Sequence, residues 1–186
     1  MFSPLIRLWQ ASERWETSRA ATSPPARIGP LEVEYRAFGA RQKQRIARDT
    51  LHWMQALSAV LYRPDQDGDE WPTLAELFAR GGDDCDGLEL LGFTTLRHLG
   101  FGEGEIYRGV LRSRDGEHYH MVTLWFDAGP SSDPYVLDPT GWIARDLVRL
   151  SSLAGWVPLR LFDEDQQFTA LEVVPAAPPD SGVAGR

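Results

Sequence analysis

The chain has 186 residues, 42% hydrophobic and 25% charged, with a formal net charge of −8. That length suits one domain with a real core, and seven Trp with eight Phe exclude general disorder. The acidic balance excludes non-specific binding to nucleic acid or anionic lipid, which need basic surface, and the single cysteine excludes an internal disulfide.

Residues 1–30 read as a peripheral N-terminal segment. Leu5, Ile6, Leu8 and Trp9 could dock on a neighbour, and the Ser-, Pro- and Ala-rich stretch from Thr22 to Pro30 reads as a linker. Arg7 interrupts the apolar start, so no signal peptide is read. No stretch approaches the ~18 apolar residues of a membrane span. The expected location is cytoplasmic, or periplasmic if a misassigned start hides a leader.

Arg41–Tyr62 predicts an amphipathic helix, with Ile46, Leu51, Met54, Leu57 and Leu61 recurring near the helical period. An acidic turn follows. Asp65, Asp67, Asp69 and Glu76 fall at EF-hand-like places, but Glu70 stands where the sharp turn wants glycine, and Pro72 interrupts the loop. Thr73 is the expected N-cap of a short helix, Leu74–Arg80, which Gly81-Gly82 ends. The next helix is predicted from about Cys85 to Leu99, capped by Asp83 or Asp84 and stopped by Gly100. Gly87 and Gly92 lower its propensity, so tertiary contacts must hold it.

The pattern then changes to strands at Glu105–Arg112, His118–Phe126 and Tyr135–Leu137, with Asp115-Gly116 as a hairpin turn. A short helix is expected within 142–154, then strands at Trp156–Phe162 and Phe168–Val174. Residues 176–186 read as a disordered tail. Helices followed by strands predict an α+β fold with an antiparallel sheet, the main domain covering 31–175.

Cys85 stands among Asp83, Asp84 and Asp86 at the start of a helix. The helix terminus favours a thiolate, whereas the aspartates oppose one. A small buried residue is the competing role. Of the four histidines, His52 and His98 are poorly placed on helices. His118 and His120 share one face of a strand, and His120 sits where that strand enters its apolar run. Asp138 follows Tyr135-Val136-Leu137, where it could orient a histidine or close an Asx-turn. Asp127 is the alternative acid.

Together these segments resemble the bacterial transglutaminase-like cysteine peptidases of the papain-like/transglutaminase-like superfamily. The resemblance rests on Trp71-Pro72-Thr73 with Glu76, Gly82-Asp83-Asp84-Cys85-Asp86, His120-Met121-Val122 and Leu137-Asp138-Pro139, in that order. It covers roughly residues 40–140. It implies a papain/transglutaminase-like core, with the nucleophile helix packed on the antiparallel sheet. It further implies Cys85 as nucleophile, His120 as base and then acid, and Asp138 as orienter of a thiol peptidase triad. The oxyanion hole would use the Cys85 backbone N–H and one upstream donor that the motifs do not identify. Gly87-Leu88-Glu89 and Pro139 depart from the family pattern, which bears on substrate specificity.

The function so implied is amide hydrolysis of a protein or peptide substrate through a thioester. The alternatives are transglutaminase-type acyl transfer and a catalytically inactive binding module. No cofactor is required. Some members of the family depend on calcium held by the acids flanking the nucleophile, here Asp84 and Asp86. The competing expectation makes Asp84 a helix cap and Asp86 a solvated first-turn acid.

Overall fold

A computed structural model describes residues 3–20, 29–65 and 68–169. The chain divides into two compact units, Met1–Arg41 and Gln42–Arg186. Helix α1, Ser3–Ala20, belongs to the first unit, and α2 covers Pro30–Leu61. No described helix is long and apolar enough to cross a membrane.

Both N-terminal helices differ from expectation: α1 was not predicted, and α2 begins eleven residues before Arg41. Leu5, Ile6, Leu8, Trp9, Leu31, Val33, Tyr35 and Phe38 are all exposed. They form no buried stripe, so hydrophobic periodicity could not reveal the helices. Local features support the start of α2. Pro30 occupies its first position, where a missing N–H costs nothing, and Arg36 pairs with Glu32 at 2.7 Å, one turn apart. Most of the expected linker and the whole of the C-terminal tail lie outside the described residues.

The second unit follows the predicted plan closely. Helix α3, Leu74–Arg80, opens with a full capping box: Glu76 N–H donates to Thr73 Oγ1, and Thr73 N–H donates to Glu76 Oε2 at 2.7 Å. That use of the Glu76 carboxylate accounts for it without an EF-hand. Gly81 ends the helix in the left-handed region, φ 70°. Helix α4 covers Cys85–His98, with Asp84 as N-cap.

Six strands form one antiparallel sheet: β1 (Ile106–Ser113), β2 (Tyr119–Trp125), β3 (Tyr135–Leu137), β4 (Val148–Arg149), β5 (Trp156–Phe162) and β6 (Gln167–Thr169). Their spatial order is β4-β3-β2-β1-β5-β6. The fold is therefore α+β, with the cysteine helix packed on the sheet. Ala47 and Leu51 of α2 join Phe93 and Leu96 of α4 over Ile106, Trp125 and Leu137. The opposite sheet face, with Leu111, Val122, Leu124 and Val136, is covered by Ile143, Ala144, Leu153 and Trp156 from the later connections.

The helix expected within 142–154 is instead β4 followed by a 3₁₀ turn, Leu150–Ser152. Ile143 and Ala144 give their N–H groups to the Asp138 carboxylate, and Val148 pairs with Val136. Tertiary hydrogen bonding thus takes the donors a helix would have used.

One charge lies inside the helix–sheet layer. Glu89 is fully buried on α4; it accepts from Arg108 Nε at 2.5 Å and from Thr123 Oγ1 at 2.6 Å. Burial pushes its carboxyl up, and the Arg108 charge opposes that. Arg108 also donates to the Asp86 carbonyl at 2.9 Å and lies against the stacked rings of Trp71 and Phe162. Removing one partner strands the other charge. Glu89→Ala should therefore destabilise the chain by about 3–5 kcal/mol in urea denaturation. Asp127→Ala, which breaks a more exposed pair with Arg149, should cost about 0–1 kcal/mol.

Candidate functional site

The site begins at the break between α3 and α4. Gly82 has φ 154°, and a Cβ there would collide with the Leu61 carbonyl, so the chain can pass close under the end of α2 only as glycine. Tyr62 and Asp83 form a parallel bridge, with Arg63 N–H donating to the Asp83 carbonyl at 3.0 Å. Asp84 then caps α4 by accepting from Asp86 N–H at 3.2 Å, leaving Cys85 as the first helical residue. Cys85 is partly exposed, and lines a cleft of about 400 Å³ with Ser58, Tyr62, Asp84, Tyr119, His120, Thr140 and Trp142.

This environment disfavours a resting thiolate. Burial foremost, and then Asp84 and Asp86, push the Cys85 thiol up to about 12 against the lowering effect of the Met121 backbone N–H. The helix terminus does not reverse that balance.

His120 is buried at the start of β2. Its Nε2–H donates to Asp138 Oδ1 at 2.8 Å, since an ionised carboxylate can only accept. That leaves Nδ1 as the imidazole nitrogen able to receive a proton. The ring is held edge-on by Trp142, centroids 5.2 Å apart, and Trp156 lies at 6.2 Å. Asp138 is wholly buried and also accepts from Thr140 N–H and Oγ1–H, each at 2.9 Å, Ile143 N–H at 2.7 Å and Ala144 N–H at 3.1 Å. Burial alone would raise its pKa. The His120 hydrogen bond and charge, and then the backbone donors, outweigh it and hold the carboxyl at about 2.

The structure therefore brings Cys85 and His120 to one cleft and ties His120 to Asp138. It does not bring in the other candidates. His118 packs against the outer Trp142, and Asp127 pairs with Arg149 at 2.7 Å. Trp71 lines a separate cavity with Phe162 and Arg160.

The acidic residues beside Cys85 form a second feature. Asp83, Asp84 and Asp86 each offer an oxygen, and these atoms lie within 4.8 Å of one another. Asp84 is the expected cap. Asp86 is buried rather than solvated, contrary to the competing expectation for it. Burial, and then the hydrogen bond and charge of Asp84, push Asp86 up to about 8; Asp83 is raised too, by burial above all. Asp83 Oδ2 and Asp86 Oδ2 are buried without a hydrogen-bond partner. Buried carboxylate oxygens without hydrogen-bond partners, on acids this close together, suit a hard cation with oxygen ligands.

Two contributions were missed in the sequence. Asp83 is expected as a cap, as a charge opposing a thiolate and as part of the family-like motif, and the structure adds it to the acidic cluster. Gly87 is expected as a weak helix former and as a departure from the family pattern. A Cβ at Gly87 would collide with the Asp83 carboxylate, so its lack of a side chain makes room for that acid.

The low Asp138 pKa fixes a pH dependence. Its folded value lies below the unfolded value of ~3.9, so its stabilisation is present above about pH 4 and is lost as pH falls through about 2. In Asp138→Asn, the stability loss between pH 4 and pH 2 should be smaller than in wild type by on the order of 2 kcal/mol. Chemical denaturation at stepped pH measures the difference.

No family model and no curated protein matches the chain. Solved structures do. Legionella pneumophila LapG is 18% identical with a TM-score of 0.56, over 73% of this chain and 78% of that one. Its EGTA-treated form gives 0.57 at 18% identity, over 74% and 77%. Its calcium-bound form gives 0.56 at 18%, over 83% and 86%. What this chain shares with these structures is a papain-like fold.

Proposed function

We propose that the chain is a cysteine-nucleophile amide hydrolase of the transglutaminase-like type, acting on a protein or peptide. One observation carries this reading: a helix-terminal thiol shares a cleft with an imidazole whose Nε2 is committed to a buried carboxylate. That is the division of labour of a cysteine triad. The motif resemblance and the fold likeness to LapG support it independently.

In this mechanism the thiol proton passes to His120 Nδ1 as Cys85 Sγ attacks the scissile carbonyl carbon. The C=O π pair becomes an oxyanion. Collapse breaks the C–N bond, and the amine departs with the proton from Nδ1. Water then attacks the thioester as Nδ1 takes its proton. The acid leaves, and Cys85 regains its hydrogen. Asp138 stabilises the imidazolium and keeps the ring oriented, with a carboxylate too acidic to take the proton itself. Burial and the neighbouring acids raise the thiol pKa, which favours proton transfer in step with the attack of Sγ over a standing thiolate.

Cys85→Ala should abolish turnover of a protein substrate such as casein, and His120→Ala should lower kcat by about 10²–10⁴-fold. Iodoacetamide labelling across pH provides the companion measurement. Labelling that is unchanged by His120→Ala, with no turnover, would favour an inactive binding module. An amine adduct as the main product in excess primary amine would favour acyl transfer.

The acidic cluster is the proposed calcium site, with Asp83, Asp84 and Asp86 as ligands. The existence of calcium-bound and EGTA-treated LapG structures supports testing that ion. A bound divalent cation would offset the charge that opposes the Cys85 thiolate. Saturation at about 100 times Kd should stabilise the fold by about 2.7 kcal/mol. EGTA should reverse the gain, and Asp83→Asn and Asp86→Asn should each reduce it, as read by thermal denaturation.

A further inference from the structure

The proposed chemistry places negative charge on the substrate oxygen, and stabilising it needs a donor beyond the Cys85 N–H. This inference rests on the cysteine-hydrolase reading and identifies a further catalytic residue within it. The Cys85 N–H lies in the first turn of α4, where backbone donors have no intrahelical partner. A second donor must face the thiol without belonging to the proton-transfer apparatus.

The lining of the cleft narrows the choice. Thr140 gives its hydroxyl hydrogen to Asp138. Trp142 packs edge-on against both His118 and His120, and Tyr119 is the strand neighbour of His120. These residues form the imidazole side of the cleft. Ser58 and Tyr62 come instead from α2 and the residue after it. Ser58 is buried, whereas Tyr62 is half-exposed, and both line the cleft.

The backbone of Tyr62 is fixed to the flank of the nucleophile. Its parallel bridge joins Asp83, two residues before Cys85, and its N–H donates to the Ser58 carbonyl at 3.1 Å. With the backbone held there, only the side-chain torsions remain to bring the hydroxyl to the reacting carbonyl.

We propose that the Tyr62 hydroxyl is the second oxyanion donor, facing the substrate carbonyl across from His120. As the Cys85 Sγ–C bond forms, the carbonyl π pair moves onto oxygen. That oxygen accepts hydrogen bonds from Cys85 N–H and Tyr62 Oη–H. Neither proton is transferred; both bonds relax when the carbonyl reforms.

Two probes separate this role from simple support of the thiol. p-Nitrophenyl acetate acylates cysteine through a tetrahedral oxyanion, whereas iodoacetamide alkylates sulfur by displacement and forms none. In Tyr62→Phe, the single-turnover acylation rate should fall about 10²- to 10³-fold, while alkylation stays within about twofold. Ser58→Ala should preserve both rates. Equal losses in both reactions, normal acylation in Tyr62→Phe, or a selective acylation loss in Ser58→Ala would overturn the assignment. Wild-type acylation no faster than that of Cys85→Ala would overturn the hydrolase reading itself. A normal, Cys85-dependent acylation in Tyr62→Phe would overturn only the role of Tyr62.

Discussion

The buried Glu89–Arg108 pair fixes the relation on which the site depends. Hydrophobic contact holds α4 on the sheet, but apolar packing alone permits small slides and rotations. A charged bond through the same interface does not. Arg108 joins the Glu89 carboxylate and the Asp86 carbonyl, while Thr123 donates to Glu89 from the adjacent strand. The first turn of α4 is thereby registered to both β1 and β2. The same β2 segment carries His120, so one polar junction sets the depth of the cysteine helix beside the histidine strand. Burial still raises the Glu89 carboxyl above its ordinary range, so the bonds from Arg108 and Thr123 offset only part of the cost of taking its charge out of water.

Electrostatics at the two ends of the site run in opposite directions. Around Asp138, a dense set of donors holds a buried carboxylate ionised. Around Cys85, buried acids discourage a thiolate and leave two of their own oxygens unpartnered. The histidine end is complete within this chain, whereas the acidic end has unused coordinating capacity. Ionisation of the Cys85 thiol is therefore sensitive to whatever balances Asp84 and Asp86.

Elements governed by a local rule were readable from the amino-acid order. The Thr73 cap, an aspartate cap at Asp83 or Asp84 and the strand at Tyr135–Leu137 were expected where the structure has Thr73, Asp84 and β3. The α+β class followed from the change in periodicity after Gly100. Cys85, His120 and Asp138 could be singled out individually, but their proximity depends on strand pairing across long separations. The misses have equally specific causes. Helix α1 and the first turns of α2 carry exposed apolar residues, so they lack a buried stripe. The segment after Asp138 gives the N–H groups of Ile143 and Ala144 to the Asp138 carboxylate and then pairs Val148 with Val136, a strand contact that residue periodicity does not reveal. Glu89 gave a faint warning, as a charge within the stripe containing Cys85, Gly92 and Leu96. Its partner, Arg108, is visible only once β1 lies beneath α4.

The strand order has a kinetic consequence. The residues of the candidate triad come from α4, β2 and the position just after β3, within the continuous stretch from Cys85 to Asp138. The β1–β2 hairpin closes a short loop, and β3 adds beside it through another local connection. By contrast, β5 must return across the sheet to pair on the far side of β1. Since ordering a distant segment carries a larger loop-closure entropy, the thiol–imidazole neighbourhood belongs to the early-closing half of the sheet. Trp156, at the beginning of β5, then adds its ring beside His120 when the late strand arrives. Assembly and enclosure of the imidazole are thus separable events in the folding of one sheet.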